Sequence, residues 1–233
     1  VYKIIKSKIR NTDKNKIGGF VGDLTNMETS FIFKEFFERT IDSNKYESRS
    51  KQNFIDNSVR ENYLFNSTIN GIEETDLILL IGTNPRYEAT MVNARIRKTY
   101  LNNQTKIISV NDVGDLTYAY DFLDGKTQSI KDIVENNNEI SKKIIDSKKP
   151  MIILGESFFN TKSANYLFYS LKNFLKKNNK ITDEWNPLNI LSTDAATVGN
   201  FDLDIVNMKE DLISDLKENK FELIYLLGQD NLD

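Results

Sequence analysis

Short apolar runs, most of them closing on a glycine, recur along the chain. They are Ile17–Gly22, Leu77–Gly82, Met151–Gly155 and Leu223–Gly228, with further candidates at Lys106–Asn111 and Leu188–Ser192. Apolar runs of about 4–8 residues are typical of strands that are buried on both faces of a parallel sheet. The pattern therefore predicts a strand at each position, and the closing glycine allows a tight turn at the strand's carboxyl end.

Helical periodicity separates these runs. Apolar residues at three- and four-residue spacing predict an amphipathic helix over Ser163–Lys177, and weaker patterns predict helices over Glu88–Leu101 and Lys209–Asn219. Thr25-Asn26-Met27-Glu28 is typical of a capping box before a helix that contains Phe31–Phe37. Because strands alternate with helices, the sequence predicts an α/β fold of Rossmann-like parallel sheets with helices on both faces.

The domain organisation is predicted from one weak segment. Asp121–Lys148 carries little strand signal and contains three consecutive asparagines, so we expect two α/β subdomains, at residues 1–125 and 126–233. Gly82, Gly155 and Gly228 are equally spaced. Either similar α/β units or a true tandem repeat explains that spacing, although the residues around the three glycines barely match.

The amino-acid composition excludes several kinds of functional site and partner for this chain. The 233 residues include no Cys and no His, so the chain cannot by itself form a cysteine-ligated iron–sulfur cluster, a Ser-His-Asp triad or a zinc site of the usual kinds. A net charge of −3 with no basic stripe excludes nucleic acid as a partner. The longest apolar runs are far shorter than the roughly 20 residues that span a bilayer. The hydrophobic share of 39% indicates a lean core and favours a partner surface that supplements it.

The most informative segment is the turn Gly82-Thr83-Asn84-Pro85, which follows the clearest predicted strand. Proline suits the first turn of a helix, and backbone donors at a helix N-terminus commonly hold phosphate. The alternative is a tight strand–helix connection that binds nothing. The acidic stretch Glu73-Glu74-Thr75-Asp76 precedes the same strand, at the end opposite to that where α/β sites form. We therefore expect a solvated turn there rather than paired carboxylates that do acid–base chemistry.

Aromatic and basic residues carry further expectations. Phe31, Phe33, Phe36 and Phe37 are predicted to fill the core and interfaces, and Tyr118 and Trp185 to anchor packing. The basic residues Arg86, Arg95 and Arg97 are candidate interface residues. Together with Lys98 they form either a solvated helix face with local ion pairs, for example to Glu88, or a contact surface. In the second case Arg95 and Arg97 make bidentate pairs with carboxylates across a domain or subunit boundary.

An ordered series of segments resembles the large iron–sulfur subunit of respiratory complex I. Leu80–Ala89 followed by Asn93–Lys98 carries the resemblance most clearly. The other matching stretches, in the same order, are Arg60–Ile69, Gly71–Asp76, Asp115–Asp121, Lys148–Met151, Leu154–Gly155, Asp183–Asn186, Asn189–Leu191 and Leu226–Gly228. The resemblance covers roughly residues 16 to 230 and implies a molybdopterin-oxidoreductase fold, similar to that of formate dehydrogenases.

The resemblance also implies what this portion does. It indicates a non-catalytic structural or assembly part in the peripheral arm of NADH:ubiquinone oxidoreductase, which passes electrons from NADH to ubiquinone coupled to proton pumping. Active molybdopterin enzymes continue the Gly-x-Asn-Pro turn to a His-Pro pair, whereas this chain has Glu88-Ala89. An acidic side chain there would repel a diphosphate. Gly82, Asn84 and Pro85 are therefore interpreted as a vestigial turn, with molybdopterin lost.

Partners and location follow from the same resemblance. The iron–sulfur clusters are expected in the cysteine-rich N-terminal part of the subunit, which this chain does not match. Because that part is not matched, the chain looks like a portion of a split or processed subunit. The cysteine-rich part and the other complex I subunits are the expected partners. No membrane insertion of this chain is expected. We expect it on the matrix side of the mitochondrial inner membrane, or on the cytoplasmic face of a bacterial plasma membrane.

Two other functions stay open at this point. The chain could be a molybdopterin-dependent oxidoreductase fragment whose active residues come from another chain. It could also be a free-standing nucleotide-binding module, although no Gly-x-Gly-x-x-Gly fingerprint follows any predicted strand.

Overall fold

A computed structural model describes residues 1–48, 55–206 and 212–229 of the chain. The strands are β1 (Ile17–Val21), β2 (Tyr46–Glu47), β3 (Leu77–Ile81), β4 (Lys106–Ser109), β5 (Asp121–Phe122), β6 (Pro150–Leu154), β7 (Leu188–Ile190) and β8 (Leu223–Leu227). The helices are α1 (Tyr2–Asn11), α2 (Met27–Glu35), α3 (Thr68–Gly71), α4 (Pro85–Glu88), α5 (Thr90–Asn103), α6 (Thr127–Val134), α7 (Glu139–Asp146), α8 (Glu156–Phe159), α9 (Ala164–Lys177), α10 (Thr197–Asp202) and α11 (Leu212–Lys217).

The predicted α/β class is confirmed. All six predicted strands form, and every strand pairing within the two sheets is parallel. The central strands β3 and β6 are buried at every position, as expected for strands that are covered on both faces. Part of the helix predicted over Lys209–Asn219 lies outside the described residues, and its described part is α11.

The chain divides into two compact units at positions that differ from the prediction. Unit 1 combines residues 1–52 with 194–233, and unit 2 is residues 53–193. The predicted boundary at 125/126 falls inside unit 2, because α6 and α7 pack their isoleucines into the same core as β3 and β6. The stretch Asp121–Lys148, which holds only the two-residue strand β5, therefore supplies mainly helical cover for the sheet rather than a boundary between subdomains.

Unit 2 is built on a five-stranded sheet in the order β5-β4-β3-β6-β7. Two apolar clusters contain opposite faces of β3, one with Leu77, Leu79 and Ile81 and the other with Ile78 and Leu80. The amphipathic helix α9 contributes six buried apolar residues, and α5 packs on the opposite side. Because successive side chains of β3 point to opposite faces of the sheet, this one strand packs against α9 on one face and against α5 on the other.

Unit 1 is built on a three-stranded sheet in the order β2-β1-β8. The helix after β1 is capped by Asn26, whose side chain accepts the backbone N–H of Thr29 at 2.9 Å, so the predicted capping box with Thr25 was wrong by one residue. Thr25 instead lies in the turn after β1, where its N–H donates to the Gly22 carbonyl at 3.2 Å.

The aromatic residues after this cap mostly fill the core, as predicted. Phe33 and Phe37 are buried and Phe36 is half-buried, and all three rings pack against Tyr225 of β8. Phe31 is exposed. In unit 2, the predicted anchors are also engaged: Tyr118 donates to Asn93 at 2.7 Å, and the Trp185 indole donates to the Pro150 carbonyl at 3.0 Å. No helix among the described residues is long and apolar enough to cross a membrane.

Candidate functional site at the carboxyl ends of β3 and β6

The strand order of unit 2 places a topological switch point between β3 and β6. From β3 the chain continues to β4 on one side, and from β6 it continues to β7 on the other. In open parallel sheets, ligands bind in the crevice at the carboxyl ends of two such strands. Here those ends carry Gly82 and Gly155, so the predicted vestigial turn lies at the position where this fold would hold a ligand.

Backbone atoms approach one another closely at these two strand ends. The Gly155 N–H donates to the Ile81 carbonyl at 2.9 Å. A Cβ atom on Gly155 would lie 2.4 Å from the Gly82 carbonyl oxygen, and one on Gly82 would lie 2.4 Å from the Phe158 nitrogen. Gly82 also has φ +62°, a conformation that favours glycine. Both glycines therefore serve the close approach of two strand ends.

Asn84 and Pro85 shape the turn into α4. The Asn84 side-chain oxygen accepts the Arg86 N–H at 3.2 Å, and its amide donates to the Val113 carbonyl at 2.9 Å. Pro85 is buried at the first position of the helix, as the sequence predicted. Asn84 thus fixes both the start of α4 and the loop that follows β4.

Glu88 takes the donors that the turn would offer to a phosphate. One carboxylate oxygen accepts the Thr83 hydroxyl at 2.6 Å, and the other accepts the Asn84 N–H at 3.0 Å. The sequence indicated Glu88 as a charge that would repel a diphosphate or as an ion-pair partner of the nearby arginines, and the pairing with Thr83 and Asn84 was not predicted. The spacing of four and five residues between Glu88 and these donors, across one helical turn, is the signal that could have revealed it.

The three arginines have partners inside unit 2. Arg86 contacts Asp115, with 2.6 Å from the guanidinium to both the carboxylate and the carbonyl oxygen. The pKa of the Asp115 carboxyl lies below its ordinary value, because it accepts the Thr117 N–H and then because Arg86 donates to it. Arg97 donates to the Thr117 carbonyl at 3.3 Å. These contacts lock the loop after β4 against α4 and α5.

Arg95 pairs with Glu73, which also accepts Lys98 at 2.7 Å. The hydrogen bonds from Lys98 and from Arg95 lower the pKa of the Glu73 carboxyl. Glu73 lies in a single 3₁₀ turn, Ile72–Glu74, before β3. Its side chain is half-exposed, as expected for a turn, and is also ion-paired to Arg95 and Lys98. The local carboxylate partners of Arg86 and Arg95 are thus Asp115 and Glu73 rather than Glu88, and pairing of Arg95 and Arg97 across a subunit boundary stays a prediction.

A second polar cluster ties the amino ends of β3 and β6 together, around Asp76, which the sequence predicted only as part of a solvated turn. The Asp76 carboxylate accepts the backbone N–H groups of Lys148 and Lys149 at 2.7 Å and 3.0 Å and also the Ser147 hydroxyl. Partial burial acts to raise the pKa of Asp76, but these hydrogen bonds outweigh it and hold the pKa below its ordinary value. The cluster is a structural clasp at the edge opposite the crevice.

Metal-binding chemistry finds little support in the part of the chain that the structure describes. No group of three or more acidic side chains there is arranged to hold a metal ion, and the sequence has no His or Cys to add. The switch-point crevice, with Gly82, Asn84, Pro85 and Glu88, is consequently the strongest candidate site among the described residues.

The chain is similar to known proteins along its whole length. A family model described as molybdopterin oxidoreductase matches residues 1–233. The chain is 35% identical over 243 aligned positions to the NADH-ubiquinone oxidoreductase 75 kDa subunit of Reclinomonas americana, covering 98% of this chain and 35% of that protein. It is 32% identical to the 78 kDa mitochondrial subunit of Neurospora crassa, covering 96% of this chain and 30% of that protein.

A bacterial relative shows the same extent of match. An NADH-quinone oxidoreductase subunit of Rickettsia bellii is 30% identical, over 99% of this chain and 33% of that protein. The chain thus spans about a third of the length of these relatives. Together with the parallel α/β architecture, the match over the whole chain shows that it belongs to the molybdopterin oxidoreductase family, with similarity to the large subunits of NADH:ubiquinone and NADH:quinone oxidoreductases.

Proposed function

We propose that this chain is a non-catalytic structural portion of the large iron–sulfur subunit in the peripheral arm of complex I. The relatives are subunits of NADH-ubiquinone and NADH-quinone oxidoreductases, which supports a role in that assembly. The assembly would carry electrons from NADH to ubiquinone, while this chain would supply packing surface. Its iron–sulfur clusters would lie in other parts of the subunit, since a chain without cysteine cannot ligate them in the usual way.

The observation that carries the non-catalytic proposal is the position of Glu88. In active members of a nucleotide-binding α/β fold, the donors of the switch-point turn hold the anionic part of the cofactor. Here the Glu88 carboxylate accepts the Thr83 hydroxyl and the Asn84 N–H, so an anion of the chain itself takes those donors. A diphosphate brought to the same turn would meet a like charge.

The shape of the crevice supports the same proposal. Backbone lies close to both glycines of the turn: a Cβ on Gly155 would lie 2.4 Å from the Gly82 carbonyl oxygen, and one on Gly82 would lie 2.4 Å from the Phe158 nitrogen. The residues present therefore do not fit a molybdopterin nucleotide, and we derive no chemical step through one. The turn keeps its architecture because it joins strand to helix.

The remaining parts of the proposal concern location and partners. The chain would pack on the cluster-bearing N-terminal part of the large subunit and on neighbouring complex I subunits. It would lie on the matrix side of the mitochondrial inner membrane, or on the cytoplasmic face of the plasma membrane if the source is bacterial.

Purification through a tag on this chain tests the proposal. We expect it to co-migrate with NADH:ubiquinone oxidoreductase activity on native gels and to carry neither molybdenum nor tungsten in stoichiometric amount. Glu88→Gln should leave the turnover per assembled complex unchanged, because the carboxylate does no chemistry. Stoichiometric molybdenum or tungsten would instead establish the alternative, an oxidoreductase fragment that is completed by another chain.

The arginines give a second test, on assembly. If Arg95 and Arg97 contact carboxylates of another subunit, Arg95→Ala should reduce the amount of this chain that is retained in the complex. Arg39→Ala is a matched control, because Arg39 lies in the π-helical turn Phe36–Ile41 that follows α2 and its exposed side chain pairs with the nearby Glu35. Unchanged retention of the Arg95 variant would leave these arginines with a local role only.

A further inference from the structure

The edges of the two sheets differ in how they are protected. Among the described residues, β8 has a strand neighbour on one side only. It is five residues long and contains only leucine, isoleucine and tyrosine. Ile224, Tyr225 and Leu226 are 39%, 41% and 50% exposed, whereas no residue of β3 exceeds 4%. A long, apolar, uncharged edge is a template for pairing with another strand.

The other three edges show how this molecule protects a strand. Two of them, β2 and β5, have only two residues each and carry an acidic residue. The third, β7, has three residues and is covered by the segment before α3, where Phe65 bridges Asn189 and the Leu64 carbonyl accepts the Ile190 N–H at 2.9 Å. Among the described strands, β8 alone lacks these devices.

The sheet of unit 1 repeats part of the sheet of unit 2. In unit 2, the Gly155 N–H after β6 donates to Ile81 of β3 at 2.9 Å, and in unit 1 the Gly22 N–H after β1 donates to Leu227 of β8 at the same distance. The glycines that end β3 and β8 have φ values of +62° and +59°. A Cβ on Gly155 would collide with the Gly82 carbonyl, and a Cβ on Gly22 would likewise collide with the Gly228 carbonyl.

This correspondence assigns β1 to the place of β6 and β8 to the place of β3. The far side of β3 is occupied by β4, which pairs in parallel with Leu77–Leu80. The equivalent far side of β8, along Leu223–Leu226, has no strand partner among the described residues. The sheet of unit 1 is therefore a partial copy of the other sheet, and it stops at a strand that is central in the complete version.

We infer that the open edge of β8 is a docking site for a parallel, apolar β-strand, the counterpart of β4, supplied by the part of the large subunit that lies outside this chain. The inference rests on the proposed function. Relatives of which this chain covers 30–35% carry enough further sequence for such a strand. Pairing would satisfy the outward backbone groups of β8 and cover Ile224 and Leu226.

Photo-crosslinking within the assembled complex tests the inference. Benzoylphenylalanine is placed at Ile224, and in a second preparation at Phe122, an exposed residue of the short edge strand β5. We expect the Ile224 probe to crosslink to an apolar segment of the large subunit outside residues 1–233, and the Phe122 probe not to reach that segment. Adding Leu226→Lys should abolish the Ile224 crosslink, because a charge on the edge strand opposes pairing.

The outcomes separate the inference from the proposed function. Crosslinks from Ile224 only to a different complex I subunit, only to a second copy of this chain, or to nothing would overturn the strand-pairing inference while the chain remains a complex I component. Absence of this chain from the complex would overturn both. Leu101→Lys, at an exposed leucine of α5, is the control for the added charge and should leave the crosslink intact.

Discussion

Removing the Asp76 carboxylate should destabilise unit 2 by a measurable amount. Asp76 directly precedes β3, and the three groups that it accepts lie just before β6, 71 to 73 residues later in the chain. Asp76→Ala deletes all three interactions and leaves two backbone N–H groups to be satisfied by water. Since β3 and β6 are the two central strands, this loss acts where the sheet is held in register.

The magnitude follows from the number and exposure of these bonds. A hydrogen bond to a charged group contributes about 1.5–3 kcal/mol when it is well shielded. Asp76 is partly buried but remains largely accessible to water, which screens the charge and hydrates the liberated N–H groups. We therefore expect a total loss of about 2 kcal/mol in the free energy of unfolding, or about 4–8 °C in Tm for a domain of this size.

Urea denaturation of the purified chain, followed by circular dichroism, measures this loss. Asp146→Ala is the matched control, because Asp146 is an exposed aspartate one residue before Ser147. The control should change the free energy of unfolding by less than about 0.5 kcal/mol. If Asp76→Ala also stays within that range, the clasp does not stabilise the sheet and the reasoning fails.

Three further predictions concern pH, the crevice and the ion pairs. The folded-state pKa of Asp76 lies below its ordinary value of 3.8, so the stabilisation that its carboxylate gives is present above pH 3.8 and is lost as the pH falls through the folded-state pKa. The difference in unfolding free energy between wild type and Asp76→Ala should therefore shrink in acid. A difference that stays constant with pH would contradict this prediction. Gly82→Ala should cost about 2–4 kcal/mol in urea denaturation, because its Cβ would meet backbone at 2.4 Å, whereas Gly114→Ala, also at positive φ but with nothing within 4 Å, should cost only about 1 kcal/mol. Arg95→Ala should move the pKa of Glu73 back toward its ordinary value in an NMR carboxyl titration, and Arg97→Ala should not; equal effects would mean that the ion pair does not form in solution.

The sequence by itself determined the strands and the fold class. Runs such as Leu77–Ile81 contain no polar position to face water, so they are stable only as strands covered on both faces, and the intervening periodic segments had to supply the cover. The glycine that closes four of the six runs marked the turn at the strand's carboxyl end. These features depend on local pattern and on the need to bury apolar surface, both of which can be inferred without knowing which strands are neighbours.

Only the tertiary structure decided which distant residues meet. Unit 1 is discontinuous because β1 pairs with β8 across some two hundred intervening residues, a pairing that no local pattern encodes. The same holds for Asp76, whose partners precede a different strand, and for the boundary expected near residue 125, where helices proved to complete a core. Glu88 was determined in part by the sequence, because its charge is evident there. Only the fold of the turn decides whether that charge repels a ligand or takes the place of one.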